Sequence, residues 1–323
     1  MSAYFIEDIA IRFGVTFLVI QSWIEHKNLK TKKEALVFFE ENEELIKAQP
    51  FVKWVGGKRQ LIEQFQKLFP KKFNDYYEPF LGGGAVFFNI QKRKSYLSDM
   101  NAELINVYQI IKSKPEDLIK YLKSIEHSKE TYLEIRAWDR VKGWEKKYNK
   151  VARAARFIYL NRTCFNGLHR VNSRGEFNVP MGAYKNPDYV QEENIRNTSL
   201  LLNKTEAEIK VESFEHVCDK AEEGDLIYFD PPYDVLSETA NFTSYNKVGF
   251  GHDMQIKLAE TFRELDKKGC FVMLSNHNTP FIRELYSSLG IKKLRFEIVQ
   301  ARRNVNRNSS GRGSVGEIVV LNY

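Results

Sequence analysis

Apolar runs alternate with amphipathic segments along most of this chain, and the alternation predicts strands and helices in turn. Short runs rich in Val, Ile, Phe and Tyr, bounded by turn residues or carboxylates, are typical of buried strands. We predict such strands at residues 75–80, 96–99, 207–212, 225–229 and 270–276. Near the end of the chain, residues 294–298 and 317–321 are expected to pair as an antiparallel hairpin. This alternation predicts an α/β fold with a mixed, mostly parallel sheet and helices on both faces.

Helical periodicity fills the intervals between the strands. It predicts helices at residues 61–69, 85–90, from 101 onward and at 254–268. Residues 115–165 are amphipathic with helical spacing, which predicts an inserted helical module. We therefore divide the chain into segments 1–49, 50–114, 115–198 and 199–323.

The first 49 residues form a helical unit of their own. Two short periodic runs on either side of Gly14, with apolar residues such as Phe13 and Trp23 at packing positions, predict a helix-turn-helix-like shape. The second helix begins with residues 16–18, Thr-Phe-Leu, which are more apolar than a groove-reading surface usually is. The pattern therefore allows two roles for this unit, binding DNA or docking a protein.

Composition and charge narrow the class of protein. A chain of 323 residues with 43% hydrophobic residues can bury a sizeable core. The formal charge of +7 favours a polyanionic partner such as nucleic acid. The three widely spaced cysteines predict reduced packing residues and no disulfide or zinc site. Without a signal peptide or an apolar stretch of membrane-span length, we expect a soluble, cytoplasmic protein with no membrane or metal partner.

The stretch from Asp225 to Tyr233 reads Asp-Leu-Ile-Tyr-Phe-Asp-Pro-Pro-Tyr, a buried strand that stops at a carboxylate. The two prolines cannot continue a hydrogen-bond ladder because they lack backbone N–H groups. Their fixed φ angles make the chain leave the strand in one direction. We therefore expect Asp230, the Pro231 carbonyl and the Tyr233 ring together at the carboxyl end of the sheet. Two acceptors can hold the N–H groups of a nucleobase amine and free its lone pair, and a ring can stack the base. A plain turn after a strand is the alternative.

Two glycine-containing turns carry a possible ligand site. A Gly-Gly pair lies between Trp54 and Lys58, and three contiguous glycines, residues 82–84, follow the predicted strand that contains Glu78. A dinucleotide site would spread its glycines and cradle a pyrophosphate, whereas acidic residues suit a cationic ligand. Asp99 ends the next predicted strand, where it is expected either to accept from ribose hydroxyls or to cap the following helix.

Residues 166–184 form a turn-rich segment that mixes arginines, amides and aromatic rings. Arginine reads guanine edges, and rings or aliphatic wedges fill the gap that a flipped base leaves. By composition alone, an ordinary long surface loop is an equal alternative. A second arginine-rich segment, residues 302–313, fits either a solvated hairpin loop or a set of phosphate contacts.

Together these segments resemble the Dam-type family of DNA adenine-N6 methyltransferases. The resemblance covers residues 50–323 and rests on the glycine loop, the recognition segment and Asp-Pro-Pro-Tyr, which occur in the family's order. It implies an S-adenosylmethionine-dependent methyltransferase fold, Rossmann-like, with a mixed seven-stranded sheet. Residues 50–114 and 199–323 would form the catalytic domain, 115–198 a helical target-recognition insert, and 1–49 an N-terminal extension. The implied activity is methyl transfer from S-adenosylmethionine to adenine N6 in duplex DNA after base flipping, with GATC as the expected target.

The resemblance also assigns roles to single residues. The catalytic set would be Asp230, Pro231, Pro232 and Tyr233. The cofactor-binding set would be Trp54, Lys58, Glu78, Phe80, Asp99, Ser213, Phe214 and Asp230. The DNA-binding set would be Lys53, Phe165, Asn166, Leu168, Arg170, Asn172, Pro180 and Tyr184. Within it, Phe165 would intercalate and Asn166 would meet the orphaned thymine, while residues 241–245 would form a flexible loop on the substrate side.

Two positions depart from the family pattern. Phe165 stands where a tyrosine is often found, which keeps the stacking and loses a hydroxyl. Ala183 replaces an expected arginine, so one DNA contact is missing and the GATC target is less secure. Two other functions fit the residues: methylation of another amine, such as cytosine N4 or an RNA base, and DNA binding by a regulator with an inactive methyltransferase domain. We expect a monomer of bacterial or phage origin.

Overall fold

The computed structural model describes residues 5–6, 24, 29–41, 48–234, 250–302 and 314–323. The helix-turn-helix predicted near the N terminus lies almost wholly outside these residues, as do residues 241–245 and 303–313. The helix Lys32–Glu41 is described, and it begins with reciprocal hydrogen bonds between Thr31 and Glu34. Among the described residues, no helix is both long and apolar enough to cross a membrane.

Seven strands in the described part of the chain form one mixed sheet. They are β1 (Tyr76–Glu78), β2 (Ser95–Ser98), β3 (Glu208–Lys210), β4 (Leu226–Phe229), β5 (Phe271–His277), β6 (Arg295–Arg302) and β7 (Ser314–Leu321). Across the sheet their order is β3-β2-β1-β4-β5-β7-β6. β1 pairs in parallel with β2 and β4, and β4 with β5, whereas β7 runs antiparallel to both β5 and β6. The predicted mixed sheet with a closing antiparallel hairpin is confirmed.

The central strand β4 is buried on both faces. Ile227 and Phe229 belong to a core shared with the helices His252–Lys267 and Pro280–Ser287. On the opposite face, the Tyr228 ring meets Phe65 of the short helix Ile62–Phe65, with centroids 5.8 Å apart. Burial on both faces explains why this strand is a continuous apolar run, and it makes the point where β4 ends a fixed position in the fold.

Most of the predicted helices are confirmed. Asn101 begins the helix Ala102–Ser113 as its cap, and its side chain accepts from the Leu104 N–H at 3.1 Å. The prediction that Asp99 could be this cap is therefore wrong. The other helices are Phe87–Ile90, Pro115–Ser124, Lys129–Arg136, Trp144–Lys147, Lys150–Thr163, Glu192–Lys204 and Val217–Lys220.

Four predicted elements are shorter than expected by two residues or more, and one of them is the strand at residues 75–80, which is restricted to β1. The helix expected at residues 61–69 is α-helical only over Ile62–Phe65, after a 3₁₀ turn at Lys58–Gln60. After this helix the Leu68 N–H bonds to the Phe65 carbonyl at 2.8 Å, which is the tighter bonding of a 3₁₀ turn. Pro70 then disfavours α conformation at residue 69. The helix expected at 85–90 begins only at Phe87, and the strand expected at 207–212 is restricted to β3.

The chain forms two compact units, each built from segments that are separate in sequence. The sheet unit consists of Lys58–Leu81, Lys94–Met100 and Lys210–Tyr323. The helical unit consists of Met1–Gly57, Gly82–Arg93 and Asn101–Ile209, and in it the helix Lys150–Thr163 packs on Ala102–Ser113 and Pro115–Ser124. The four domain segments predicted from the sequence stay a prediction.

Candidate active site and recognition segment

Asp230 follows β4 directly and is paired with Lys58 in the sheet unit. Lys58 Nζ lies 2.7 Å from Asp230 Oδ1, and the lysine side chain is only 4% exposed. Burial raises the pKa of the Asp230 carboxyl above its ordinary value, and the Lys58 ammonium offsets part of that rise. The end of the central strand thus presents a carboxylate whose charge state depends on one buried cation.

The Tyr233 ring is held on three sides. Its hydroxyl donates to Glu317 Oε2 at 2.7 Å, and Lys58 Nζ lies 4.7 Å from the ring centroid. His277 meets the ring edge-on, with centroids 4.9 Å apart. Aromatic and cation–π contacts of this kind contribute about 0.5–1.5 kcal/mol each. Burial also raises the pKa of Tyr233 well above its ordinary value, so its hydroxyl remains a donor.

Side chains behind the Asp-Pro-Pro-Tyr segment fix its backbone. Gln255 Nε2 donates to the Pro232 carbonyl at 3.0 Å, and Asn276 Oδ1 accepts from the Asp234 N–H at 2.9 Å. Asn276 Nδ2 donates in turn to Gln255 Oε1 at 3.1 Å. The Asp234 carboxylate accepts from Thr279 Oγ1 at 2.6 Å. Because a buried polar group that loses its partner keeps its desolvation cost, this network stabilises one backbone path after Asp230.

Acidic side chains gather at this edge of the sheet. Glu78 ends β1, and its carboxylate accepts from the Tyr76 hydroxyl at 2.7 Å. Burial is the main reason that the pKa of Tyr228 lies well above its ordinary value, and the negative charges of Asp230, Glu78 and Glu317 raise it further. Three carboxylates close to one tyrosine form a charge set that suits a cationic ligand. In the described part of the chain, no group of three or more His, Cys, Asp or Glu side chains could hold a metal ion.

Aromatic rings form a second feature of the sheet unit. Phe80 and Phe214 stack with centroids 5.4 Å apart and planes 25° apart, and Phe250 packs edge-on against Phe80 at 5.6 Å. The Ser213 hydroxyl donates to the carboxylate of Glu215, so it bonds within its own turn. Four of the eight predicted cofactor residues therefore form two contacts, the stacked pair Phe80 and Phe214 and the ion pair Lys58 and Asp230.

Trp54 lies in the helical unit, within a group of aromatic rings. Its indole is stacked with His169 at 5.6 Å and with Phe157 at 6.4 Å between ring centroids. Gly82 has φ +47°, and a Cβ built there would lie 2.7 Å from the Trp54 indole. The sequence explained the three contiguous glycines by the close approach of a ligand. The structure gives a second reason for the first of them, because a side chain at Gly82 would collide with Trp54.

Residues 164–182 form an irregular hairpin, the recognition hairpin, in the helical unit. Isolated antiparallel bridges join Cys164 to Met181 and Val171 to Phe177, and the Phe165 N–H bonds to the Pro180 carbonyl at 2.9 Å. At its start, the 3₁₀ turn Phe165–Gly167 exposes Phe165, while Asn166 adopts left-handed φ 55°, ψ 15°. An exposed ring beside an exposed amide has the shape that the sequence predicted for a wedge at a flipped base.

Other predicted DNA contacts are engaged in holding this region together. Asn172 Oδ1 accepts from the N–H groups of Arg174 and Glu176, both at 3.0 Å, so its amide supports the tip of the hairpin. Lys53 Nζ lies 3.0 Å from the Tyr184 hydroxyl and 4.3 Å from its ring centroid. The structure thus brings two of the predicted DNA-binding residues, Lys53 and Tyr184, into direct contact.

A buried ion pair fixes the far strand of the hairpin. Asp139 Oδ2 lies 2.5 Å from Arg156 Nη2, and both side chains are under 10% exposed. The same oxygen accepts from the Phe177 N–H at 2.7 Å, and Arg140 donates to the Phe177 carbonyl at 3.1 Å. The Tyr132 hydroxyl holds the Val179 carbonyl at 2.9 Å. The hairpin backbone is therefore anchored to the helical module by side chains that the sequence analysis did not single out.

A sequence model of the D12 class N6 adenine-specific DNA methyltransferases matches residues 54–304. The chain belongs to this family. Among its relatives, the Type II methyltransferase M1.LlaDCHI of Lactococcus lactis subsp. cremoris is 47% identical over 280 residues, covering 86% of this chain and 96% of the relative. The Type II methyltransferase M.MjaIII of Methanocaldococcus jannaschii is 40% identical over 298 residues, covering 86% and 100%. The DNA adenine methylase of Escherichia coli (strain K12) is 34% identical over 279 residues, covering 85% and 95%.

The predicted family, fold class and enzyme class are thereby confirmed, and this methyltransferase acts on adenine N6 in DNA. Sequence reasoning missed five residues that support the predicted segments: Gln255, Asn276 and Glu317 contact residues 232–234, Asp139 contacts the hairpin, and Arg156 pairs with Asp139. The sequence offered a weak signal for one of these five residues. Asn276 is an amide at the end of a strand that was predicted to be buried. The partners of the other four are set by the fold and leave no local pattern.

Proposed function

We propose that this methyltransferase transfers a methyl group from S-adenosylmethionine to adenine N6 of GATC in duplex DNA. The observation that carries the proposal is the contact set at the end of β4, where the Asp230 carboxylate and the Tyr233 ring share Lys58 as a neighbour. A hydrogen-bond acceptor beside a rigid ring is what a flipped adenine needs, because its amine must be held while its plane is stacked.

The residues of the sheet unit fit a cationic, adenine-containing donor. The carboxylates of Glu78 and Asp230 match positive charge, and the Phe80–Phe214 pair offers an apolar aromatic surface for a purine. We propose that Lys58, Asp99, Ser213 and Trp54 also contribute to binding the donor. When bound, the donor supplies an electrophilic methyl group on a sulfonium.

The chain's own residues would align and activate the amine. Asp230 and the Pro231 carbonyl would each accept one N–H of adenine N6, which leaves the nitrogen lone pair directed away from the ring plane. Pro231 and Pro232 would keep the two acceptors in register, and Tyr233 would stack the base. Asp230 accepts most strongly when it is ionised, so the residues that set its pKa belong to the mechanism. Positioning and hydrogen bonding would account for most of the rate.

The recognition hairpin would supply the DNA contacts. Phe165 would fill the gap left by adenine, and Asn166 would meet the orphaned thymine. Leu168, Arg170, Pro180 and Tyr184 would read flanking pairs, and the exposure of Arg170 and Pro180 supports this role. Lys53 and Asn172 would also contact DNA. Support for GATC comes from the resemblance of this segment to the Dam-type pattern, with Ala183 as the departure.

The test is methyl transfer from labelled S-adenosylmethionine to unmethylated duplex DNA of mixed sequence, with modified positions read by sequencing. Methyladenine confined to GATC supports the whole proposal, and Asp230→Ala, with its fold checked by circular dichroism, should then abolish the signal. Methyladenine at another sequence would overturn the target while keeping the reaction. Full activity of Asp230→Ala would overturn the assignment of the acceptor.

A further inference from the structure

We infer that Glu317 is a positioning residue for adenine methylation, which holds the Tyr233 ring in its stacking orientation through the tyrosine hydroxyl. The inference rests on the proposed role of Tyr233 as the ring that stacks the target base. Its basis is the hydrogen bond from the Tyr233 hydroxyl to Glu317 Oε2 at 2.7 Å, between residues 84 positions apart in the chain.

The reversed strand of the sheet explains how Glu317 reaches the site. β7 runs antiparallel to β5, so the first residues of β7 lie where β5 ends. In this register Glu317 is the partner of His277, and both side chains contact Tyr233: Glu317 at the hydroxyl and His277 at the ring edge. The antiparallel pair β5–β7 therefore delivers two neighbouring side chains to one aromatic ring.

The hydroxyl contact supplies a restraint that the backbone does not. The two prolines and the Gln255 and Asn276 network fix the main chain from Pro232 to Asp234. The tyrosine side chain still has two torsions, and the edge contact with His277 limits them only weakly. A hydrogen bond to a carboxylate is shorter and stronger than one between neutral groups, and it fixes the end of the ring farthest from the backbone.

Lys58 cannot take over this restraint. Its ammonium lies over the Tyr233 ring, but it is also bound to Asp230, the group proposed to accept the adenine amine. Any displacement of Lys58 during base entry would loosen one face of the ring. Glu317 holds the hydroxyl through a hydrogen bond that does not involve Lys58, so this restraint can persist when Lys58 moves. The same hydroxyl also interacts with Asp230 and lowers the pKa of its carboxyl. Errors of about 1 Å in the placement of a reacting group cost up to roughly 100-fold in rate.

The test compares full-chain variants in single-turnover methyl transfer to unmethylated DNA of mixed sequence, at mildly alkaline pH and saturating S-adenosylmethionine. Glu317→Ala should lower the rate constant about tenfold or more, with the DNA dissociation constant within about twofold of wild type. Glu317→Gln, which keeps an acceptor oxygen, should restore the rate to within about threefold of wild type. Glu297→Ala is the matched control, because this β6 carboxylate interacts with Arg295 at 3.8 Å, and it should leave the rate unchanged.

A double-mutant cycle separates positioning from a general structural role. Tyr233→Phe keeps the ring and removes the hydroxyl, so it should lose about as much rate as Glu317→Ala. The double variant should then lose no more than either single variant. Losses that multiply in the double variant, a Gln variant as slow as the Ala variant, or a wild-type rate for Glu317→Ala would each overturn the inference. If Glu317→Ala does not fold, a wild-type rate for Tyr233→Phe overturns it as well.

Tyr233→Ala distinguishes this inference from the proposed function. If Tyr233→Ala methylates adenine at the wild-type rate, the proposed stacking role of Tyr233 is wrong and the role of Glu317 falls with it. If Tyr233→Ala is slow while Glu317→Ala and Tyr233→Phe are normal, the ring matters and only the inference about Glu317 is overturned.

Discussion

Lys58 Nζ lies 2.7 Å from Asp230 Oδ1 and 4.7 Å from the centroid of the Tyr233 ring. One buried cation thus contacts both the carboxylate and the ring that we propose to hold the target base. Two effects compete at Asp230, since burial raises the pKa of its carboxyl and Lys58 lowers it. The ionised carboxylate accepts an amine N–H more strongly than the protonated carboxyl does, so we expect Lys58 to influence the lower pH limit of methyl transfer.

Replacing Lys58 with methionine should move the acidic limb of the rate profile to higher pH. Without the ammonium, burial acts unopposed by this neighbour, and the pKa of Asp230 rises further. As the pH falls through that pKa, Asp230 takes up a proton and methyl transfer is lost, so a higher pKa means loss at a higher pH. Single-turnover rates measured across pH, at saturating S-adenosylmethionine, give the midpoint of the limb. Each unit of displacement corresponds to about 1.4 kcal/mol.

Lys58→Arg is the control for this prediction, because it keeps the positive charge while changing the shape of the side chain. Its acidic limb should stay closer to that of the wild type than the limb of Lys58→Met. A limb of Lys58→Met that stays in place, or that moves to lower pH, would show that the ion pair does not govern the ionisation of Asp230.

Replacing Phe165 with alanine should impair methyl transfer without destabilising the protein. The Phe165 side chain is 52% exposed, so its truncation should change the free energy of unfolding by less than about 0.5 kcal/mol. The proposed wedge at the flipped base is lost, and the rate of methyl transfer should fall. Val171, 44% exposed in the same hairpin, provides the matched control. Equal effects of Phe165→Ala and Val171→Ala on the rate would contradict the wedge.

Much of the fold follows from local pattern. The strand before Asp230 is predictable because a strand buried on both faces needs an unbroken apolar run, and two prolines mark its end. The helix Ala102–Ser113 is equally predictable from its sequence pattern, although its N-cap is Asn101 rather than Asp99. Local signals fail where an element ends before its apolar pattern does, as the helix predicted at residues 61–69 ends at Phe65.

The contacts around the site could not be predicted in the same way. Glu317 reaches Tyr233 only because β7 reverses beside β5, and Asn276 reaches Asp234 because β5 lies next to β4. Such partners are defined by the order of strands, which no window of sequence contains. For Trp54 the sequence suggested only a ligand contact. The structure shows that its indole also packs against the His169 ring and against Gly82.

Breaking the Asp139–Arg156 pair should destabilise the helical unit. Asp139→Ala leaves a buried guanidinium without its carboxylate and removes the acceptor of the Phe177 N–H. Loss of one partner of a buried pair costs about 3–5 kcal/mol. Thermal unfolding followed by circular dichroism measures the loss. Asp219→Ala removes a carboxylate from an exposed pair with His216 and should cost at most about 1 kcal/mol. Similar unfolding temperatures for the two variants would show that the buried pair adds no stability.

Gly82 should be intolerant of alanine for two separable reasons. Its φ of +47° disfavours any side chain, and a Cβ there would lie 2.7 Å from the Trp54 indole. Gly143 has φ +73° with nothing within 4 Å of the added Cβ, so Gly143→Ala isolates the backbone term of about 1–2 kcal/mol. Gly82→Ala should cost about 1–3 kcal/mol more, because the indole must shift in a packed aromatic group. Thermal unfolding compares the two, and equal losses of stability would mean that Trp54 yields without cost. If the clash is the cause, adding Trp54→Leu to Gly82→Ala should cost less stability than the two single changes combined.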